Sequence, residues 1–305
     1  MWQKKLYYKL SPIISRSAIK RHHNFAVFRK LFGILFTPET ADIQGFTMKL
    51  QRTGHSIDLA FEGEYEPLET GFLRSLDLRD KIALDIGSCI GYYALQLSRG
   101  VGPKGRVFAF EPESRNYKIL HDNLIRNRAA NASCFQLALG NKNGTAELKI
   151  HQSPGQHSIA NEGDVQGARE TVSMERLDDF LKKSGISAQD IAYIKIDAEG
   201  YESEVLKGMA NTIKEAGNSL IIQIEFAPQH LTDYTHDLEE LFSLIRESRL
   251  TPYYWDTEAK KLLLIPNISW LGENDTIRMF INGDICSRNI ILAKQKLPFD
   301  FSRLK

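Results

Sequence analysis

Carboxylates at the ends of short apolar runs carry most of the chemistry this sequence can offer. Asp85 lies in Ile82-Ala83-Leu84-Asp85-Ile86, Glu111 ends Val107-Phe108-Ala109-Phe110, Asp197 follows Ile191 to Ile196, and Glu225 ends Leu220 to Glu225. Acids so placed can hold hydroxyls, take protons or share a hard cation. Asp85-Ile86-Gly87-Ser88-Cys89-Ile90-Gly91 adds a glycine turn at a strand-to-helix junction, where Gly87 permits close ligand approach and the helix start offers free N–H donors. Glu111 follows about twenty residues later, where a carboxylate can accept hydrogen bonds from both hydroxyls of a ribose. Strand, glycine turn, helix, strand and acid together specify a nucleoside-binding half-domain.

The loop spacing bears on which nucleoside. A dinucleotide fingerprint needs G-x-G-x-x-G so that the backbone can approach a pyrophosphate, and here Cys89 stands where the middle glycine would be. S-adenosylmethionine has no pyrophosphate to accommodate.

The elements around these residues read as strands alternating with helices. Strands are expected at Ile82 to Ile86, Arg106 to Phe110, Ala132 to Leu137, Ala146 to Ile150, Ile191 to Ile196 and Leu220 to Glu225. Helices are expected at Tyr92 to Arg99, Glu113 to Arg128, Leu177 to Lys183, Tyr201 to Lys207 and Asp237 to Glu247, and short strands at Thr251 to Trp255, Lys261 to Ile265 and Thr276 to Ile281. The expected fold class is α/β, a Rossmann-like doubly wound, mostly parallel sheet with helices on both faces. Upstream, Gly45 to Gln51 and Ser56 to Phe61 alternate around Thr53-Gly54-His55 as a β-hairpin would, after a stretch in which Phe25, Phe28, Leu31, Phe32, Ile34, Leu35 and Phe36 recur at roughly the spacing of an amphipathic helix. The expected division is 1–63, a basic helical segment with the hairpin, and 64–305, the catalytic domain. His151 to Ala168 reads as one long loop, of the kind that serves as a lid or binding loop.

Composition narrows the class. Residues 1–38 hold eight of the 39 Lys and Arg and no acid, which leaves 31 basic against 38 acidic residues, a balance of −7, for the rest. That amphipathic helix either packs on the domain or, with its local charge beside aromatic residues, attaches to an anionic membrane surface as a peripheral contact through residues 1–38, whereas a net acidic remainder speaks against nucleic acid as partner. No run of eighteen apolar residues occurs, and Cys89, Cys134 and Cys286 form no disulfide framework or metal knuckle, so a cytoplasmic location is expected.

Four motifs in order make the chain resemble the FkbM family of methyltransferases: Asp85 to Gly91, Phe110-Glu111-Pro112, Ala138-Leu139-Gly140, and Lys195-Ile196-Asp197-Ala198-Glu199-Gly200-Tyr201-Glu202, with Glu64-Tyr65-Glu66-Pro67 upstream. Ser88-Cys89 departs from the more usual Ala-Asn of that loop. The resemblance implies a class I methyltransferase fold, S-adenosylmethionine as donor, and a hydroxyl on a sugar, glycan or related small molecule as acceptor. It implies cofactor contacts from Asp85, Gly87, Ser88, Gly91, Glu111, Pro112, Ala138 and Leu139.

Methyl transfer from a sulfonium is an in-line displacement, so the protein must mainly align the acceptor and remove its proton. Asp197 is the first candidate for that work, with Glu199 and Glu225 beside it and His157 in the long loop as the alternative base. His230 stands level with His157 as a loop histidine, and Glu202 reads as a surface or cap residue opening its helix. Aspartate with an ordinary pKa near 3.9 is a poor base for a hydroxyl. Either neighbouring acids raise that value, or the three carboxylates share a divalent metal that acidifies the acceptor. Other readings stay open at this level: an RNA methyltransferase or RNA-binding module, a nicotinamide-linked oxidoreductase, and a scaffold that has lost its activity.

Overall fold

A computed structural model describes residues 37–51, 56, 59–60, 62–151, 157–159, 168–226, 238–256, 261–265, 267–268 and 289–297. The expected helix in residues 1–38, the strand Thr276 to Ile281 and His230 lie outside them.

The described chain opens with a hairpin, β1 (Thr40–Ile43) and β2 (Phe46–Lys49). Its turn residues Gln44 and Gly45 both have positive φ, as a two-residue type I′ turn requires. The hairpin expected around Thr53-Gly54-His55 is therefore displaced upstream, and Ser56, Leu59, Ala60 and Glu62 are helical instead. Alternation was an equivocal signal there, because Leu59 and Ala60 bury equally well from one face of a helix.

The remaining elements are α1 (Pro67–Ser75), β3 (Ile82–Ile86), α2 (Tyr92–Val101), β4 (Arg106–Phe110), α3 (Ser114–Arg126), β5 (Ala132–Phe135), β6 (Ala138–Leu139), β7 (Gly144–Ile150), β8 (Ser158–Ile159), β9 (Ala168–Glu175), α4 (Leu177–Lys183), β10 (Ile191–Ile196), α5 (Glu202–Gly208), α6 (Ala210–Glu215), β11 (Ile221–Glu225), α7 (Leu238–Ser248), β12 (Thr251–Asp256), β13 (Lys261–Leu264) and β14 (Asn289–Ala293). Eight strands form one sheet in the order β13-β12-β14-β11-β10-β3-β4-β5. β11, β10, β3, β4 and β5 run parallel, and β14 is antiparallel to both of its neighbours.

β3 and β10 are buried along their whole length, which is why their sequences are apolar runs without alternation. Ile82, Leu84, Ile86, Ile194 and Ile196 pack on one face with Phe180, Leu206 and Phe242 from the helices α4, α5 and α7. Ala83, Ala192 and Tyr193 face the other side, where α1, α2, α3 and the hairpin contribute Phe72, Leu97, Leu120, Ile43 and Met48. The hairpin thus shares the core of the sheet it precedes.

β6, β9, β7 and β8 make a separate four-stranded sheet on a small core of Ala138, Leu148, Val172 and Met174. Part of the segment expected to be one loop is therefore strand, and β9 begins at its last residue. Gly140 to Gly144 and the surface alternation of β9 carry too few apolar residues to announce this sheet.

Candidate active site

Register places the site. Phe110, Ile86, Ile196 and Ile224 are level across β4, β3, β10 and β11. The next residue on each strand is Glu111, Gly87, Asp197 and Glu225. All four emerge along one edge, and the chain order reverses between β3 and β10, where doubly wound sheets open a crevice for ligands.

The glycine loop folds onto Glu111. Gly87 and Ser88 donate their N–H groups to Phe110 O at 3.0 and 2.9 Å, and the Cys89 N–H reaches Glu111 Oε2 at 2.8 Å. Glu111 Oε1 accepts from the Glu113 N–H at 3.0 Å. Burial pushes the Glu111 carboxyl up to about 8, against these backbone donors. Pro112 ends the strand, and Glu113 caps α3 by accepting from the N–H groups of Arg115 and Asn116 at 3.0 and 2.6 Å.

Gly87 is required sterically. Its φ is +80°, and a Cβ there would lie 1.8 Å from the carbonyl oxygen of Asp197. Gly91 has a different duty, since its Cβ would meet Leu120 Cδ1 at 2.7 Å, so its small size lets α3 close on the loop. Ser88 braces the turn by donating to Asp85 O at 2.8 Å, and burial drives the Cys89 thiol pKa well up, with Glu111 adding to the rise, which leaves a neutral thiol.

Asp85 is 1% exposed, and neither carboxylate oxygen has a hydrogen-bond donor in bonding geometry among the described residues. Burial pushes it up to about 6, with Lys195 opposing. Lys195 is its direct register partner on β10 and is 2% exposed. The Lys195 ammonium donates to Asp197 Oδ2 at 2.6 Å and sits 4.6 Å from the centre of the Tyr93 ring. Burial works against its charge, but Asp197, Glu66 and Asp85 overcome that and raise its pKa.

The turn after β10 presents the acids. The Asp197 N–H binds Ile86 O at 3.0 Å, and Glu199 and Gly200 both take positive φ. Glu202 accepts from the N–H groups of Ala198 and Gly200 at 2.9 and 3.2 Å. It caps the turn as expected but is buried rather than on the surface, and burial pushes its carboxyl up to about 7. One carboxylate oxygen each of Asp197, Glu199 and Glu225 lies within 4.8 Å of the others. Burial, then Asp197 and Glu199, raises the Glu225 pKa well above the usual carboxylate range.

His157 is not brought to this trio. Its Nδ1 accepts the His151 N–H at 3.1 Å, burial lowers its pKa, and the charges acting on it most are Glu113, His151, Glu170 and Arg115, near the start of α3. Ala138 and Leu139 are buried in β6, paired with Met174 and Glu175, and Leu139 joins the core beside Ile86 and Phe110.

A polar group that sequence reasoning did not assign backs the crevice. Glu66 accepts from Tyr93 OH at 2.6 Å and from Asn289 Nδ2 at 2.8 Å, while Gln223 Nε2 donates to Tyr93 OH at 3.1 Å and to Asn289 Oδ1 at 3.2 Å. Tyr65 stands close by, its pKa raised by Glu66, burial and Asp197. Two signals were available, the Glu64-Tyr65-Glu66-Pro67 motif and Lys195 itself, since a lysine between isoleucines in a buried strand needs acidic partners.

The strand order, with an antiparallel strand slotted beside five parallel ones and the acids on the switch-point edge, defines a class I methyltransferase architecture. The methyltransferase FkbM domain model matches residues 85–249, more than half of the chain, so the protein belongs to the FkbM methyltransferase family. It is similar to the hexuronic acid methyltransferase AglP of Haloferax volcanii, 28% identical over 239 residues, covering 75% of this chain and 87% of that one. It is also 27% identical over 168 residues to methyltransferase sdnD of Sordaria araneosa, spanning 46% of this chain and 64% of that protein. Among solved structures, the methyltransferase FkbM of Methylobacillus flagellatus is 22% identical with a TM-score of 0.38, over 58% of this chain and 45% of that one.

Proposed function

We propose that the protein transfers the methyl group of S-adenosylmethionine to a hydroxyl of a sugar or glycan. The observation that carries this is the level row: a glycine loop and Glu111 on one side of the β3/β10 switch point, and Asp197 and Glu225 on the other. The relative that acts on a hexuronic acid supports a sugar as acceptor.

The residues suit that cofactor. Asp85, buried at the base of the loop beside Lys195, offers a carboxylate for the ligand's ammonium. Gly87 keeps the loop clear, and Glu111, held by two backbone N–H groups, keeps lone pairs for ribose hydroxyls. Ser88 and Gly91 shape the loop, Pro112 turns the chain beside Glu111, and Ala138 and Leu139 support that side from β6. When bound, the cofactor supplies a sulfonium methyl, whose C–S bonding pair stays on sulfur as the acceptor oxygen takes the carbon. Asp197, oriented by Lys195, receives the acceptor hydroxyl, and Glu199 and Glu225 beside it complete the seat for the departing proton.

We further place residues 1–38, of which the structure describes only Thr37 and Pro38, at an anionic membrane surface, on their eight basic residues without an acid, and the enzyme in the cytoplasm, on its three dispersed cysteines. Sedimentation with anionic vesicles, losing its effect when residues 1–38 are removed, tests the first point. For the reaction, labelled methyl transfer is measured with uronic acids, neutral sugars, lipid-linked sugars and RNA as acceptors. Label in the sugars is expected; label in RNA alone overturns the reading.

A further inference from the structure

Tyr65 and Glu66 stand immediately before α1, whose first residue is Pro67. Glu66 has φ 46°, a left-handed backbone that residues with a Cβ rarely adopt. Its side chain caps no N–H of α1 and turns inward to Tyr93 and Asn289 instead. Tyr65 is held on both sides of its own Cα: its N–H donates to Tyr92 OH at 3.3 Å, and its carbonyl accepts from Thr70 Oγ1 at 2.7 Å. Its half-buried ring lies 6.1 Å from the Tyr92 ring and 6.5 Å from the Tyr93 ring, at 89° and 84° to them, the edge-to-face arrangement that aromatic rings favour.

Contacts place this ring at the acceptor end. Glu66 reaches Asn289 on β14, beyond β11 in the strand order, so the segment lies on the β10 and β11 side of the switch point, away from Glu111 on β4. Tyr93, next to Tyr65, has the Lys195 ammonium 4.6 Å from its ring centre, and that ammonium binds Asp197 Oδ2 at 2.6 Å. Glu66 raises the Tyr65 pKa most, then burial, then Asp197, Glu225 and Glu199, so the phenol keeps its proton. Tyr65 is therefore no base for the acceptor. A rigidly mounted, half-buried aromatic ring beside carboxylates is suited to holding a molecule that is apolar on one side and rich in hydroxyls at its rim.

We propose that Tyr65 determines acceptor specificity: a pyranose lies with the C–H side of its ring against the Tyr65 ring and turns a hydroxyl to Asp197, an inference that rests on the sugar-methylation reading above. The C–H side needs an apolar surface, and the rim hydroxyls donate to carboxylates. The fixed mounting matters because in-line displacement rewards an acceptor held in one orientation. A small open-chain alcohol offers the hydroxyl without the ring and should be held weakly.

The test loads the full chain with S-adenosylhomocysteine and titrates the methyl glycosides of glucose, galactose, mannose and glucuronic acid, followed by saturation-transfer NMR. At least one is expected to bind, with saturation strongest on its ring C–H protons. Tyr65→Ala should weaken that binding by about tenfold, and Tyr65→Phe, which restores the ring without the hydroxyl, should recover most of the loss. With labelled S-adenosylmethionine, Tyr65→Ala should raise KM for the glycoside far more than it lowers kcat. Thermal melts and S-adenosylhomocysteine affinity confirm each variant, and if Tyr65→Ala does not fold, Tyr65→Leu, apolar but not aromatic, takes its place. Wild type that binds no glycoside, a folded Tyr65→Ala or Tyr65→Leu that binds as wild type does, or a Tyr65→Phe as weak as Tyr65→Ala overturns the proposal. Methyl transfer separates the two readings. Sugars methylated with the same KM by wild type and Tyr65→Ala overturn the role of Tyr65 alone, whereas wild type that methylates no sugar overturns the acceptor class and this role with it.

Discussion

Replacing Gly87 with alanine probes the contact on which the crevice depends. The new Cβ would sit 1.8 Å from the Asp197 carbonyl oxygen and 2.8 Å from its carbon, both backbone atoms. To reach even 3.0 Å from that oxygen, the ends of β3 and β10 must part by about 1.2 Å, against the 3.0 Å hydrogen bond from Asp197 N–H to Ile86 O. Holding alanine at φ +80° costs roughly 1–2 kcal/mol, and overpacking a site that cannot yield costs roughly 1–3 more. Urea denaturation should therefore show a loss of about 2–5 kcal/mol, a large share of the ~5–15 kcal/mol typical of a domain. Calorimetry should show S-adenosylmethionine binding weakened by about tenfold or more, since each 1.4 kcal/mol of misfit is tenfold. Gly91→Ala is the control. Its Cβ meets the end of the Leu120 side chain, which can rotate away, so it should lose only about 1–2 kcal/mol and much less affinity. If Gly87→Ala matches Gly91→Ala in stability and binds cofactor as wild type does, the claim that Gly87 is held to glycine by Asp197 is wrong.

Three further outcomes follow from the site. Glu111, pushed up to about 8 by burial, binds its proton more tightly folded than unfolded, so its contribution to stability is greatest below about pH 4.5 and is lost as pH rises toward 8. Glu111→Gln should flatten that part of the stability profile, and in wild type S-adenosylmethionine should bind with proton release near pH 7, read by calorimetry in buffers of different ionisation enthalpy. Asp197→Asn should lose about 10²-fold or more in turnover while keeping cofactor affinity, so near-normal turnover would move the acceptor's partner elsewhere. Lys195→Met leaves Asp85, Glu66 and Asp197 without their shared cation and should cost roughly 3–5 kcal/mol in a chemical melt. A melt unchanged from wild type would show that the lysine is not the hub of that cluster.

The parts of the fold legible beforehand were those where one physical signal acted alone. β3, β4 and β10 are short apolar runs because both faces are covered, and their bounds match expectation at each residue. Gly87, Glu111, Asp197 and Glu225 came to one edge because parallel strands with level register leave no other arrangement. The hairpin was misplaced because alternation cannot separate a half-buried strand from a short helix, and the positive φ of Gln44 is not a glycine signature. Asn289 could not be linked to Glu66 from sequence, since their contact spans 223 positions and uses an uncharged amide. β14 was also missed: Asn289-Ile290-Ile291-Leu292-Ala293 is as long and as buried as β3, but the last strand of the sheet was expected at Thr276 to Ile281 instead.

The position of β14 also affects how the molecule is made. Residues 289–293 slot between β11 and β12, not at a rim of the sheet. A nascent chain emerging from the ribosome can pair β5, β4, β3, β10 and β11 early, but it must then hold the apolar edge Ile221 to Glu225 open until more than sixty further residues have been synthesised. During that interval the edge is a template for pairing with other chains. Expression that outruns completion of the chain should yield aggregates. A premature stop before Asn289 should leave an insoluble product, not a slightly trimmed enzyme, because it removes an interior stave and the amide that holds Glu66 behind the crevice.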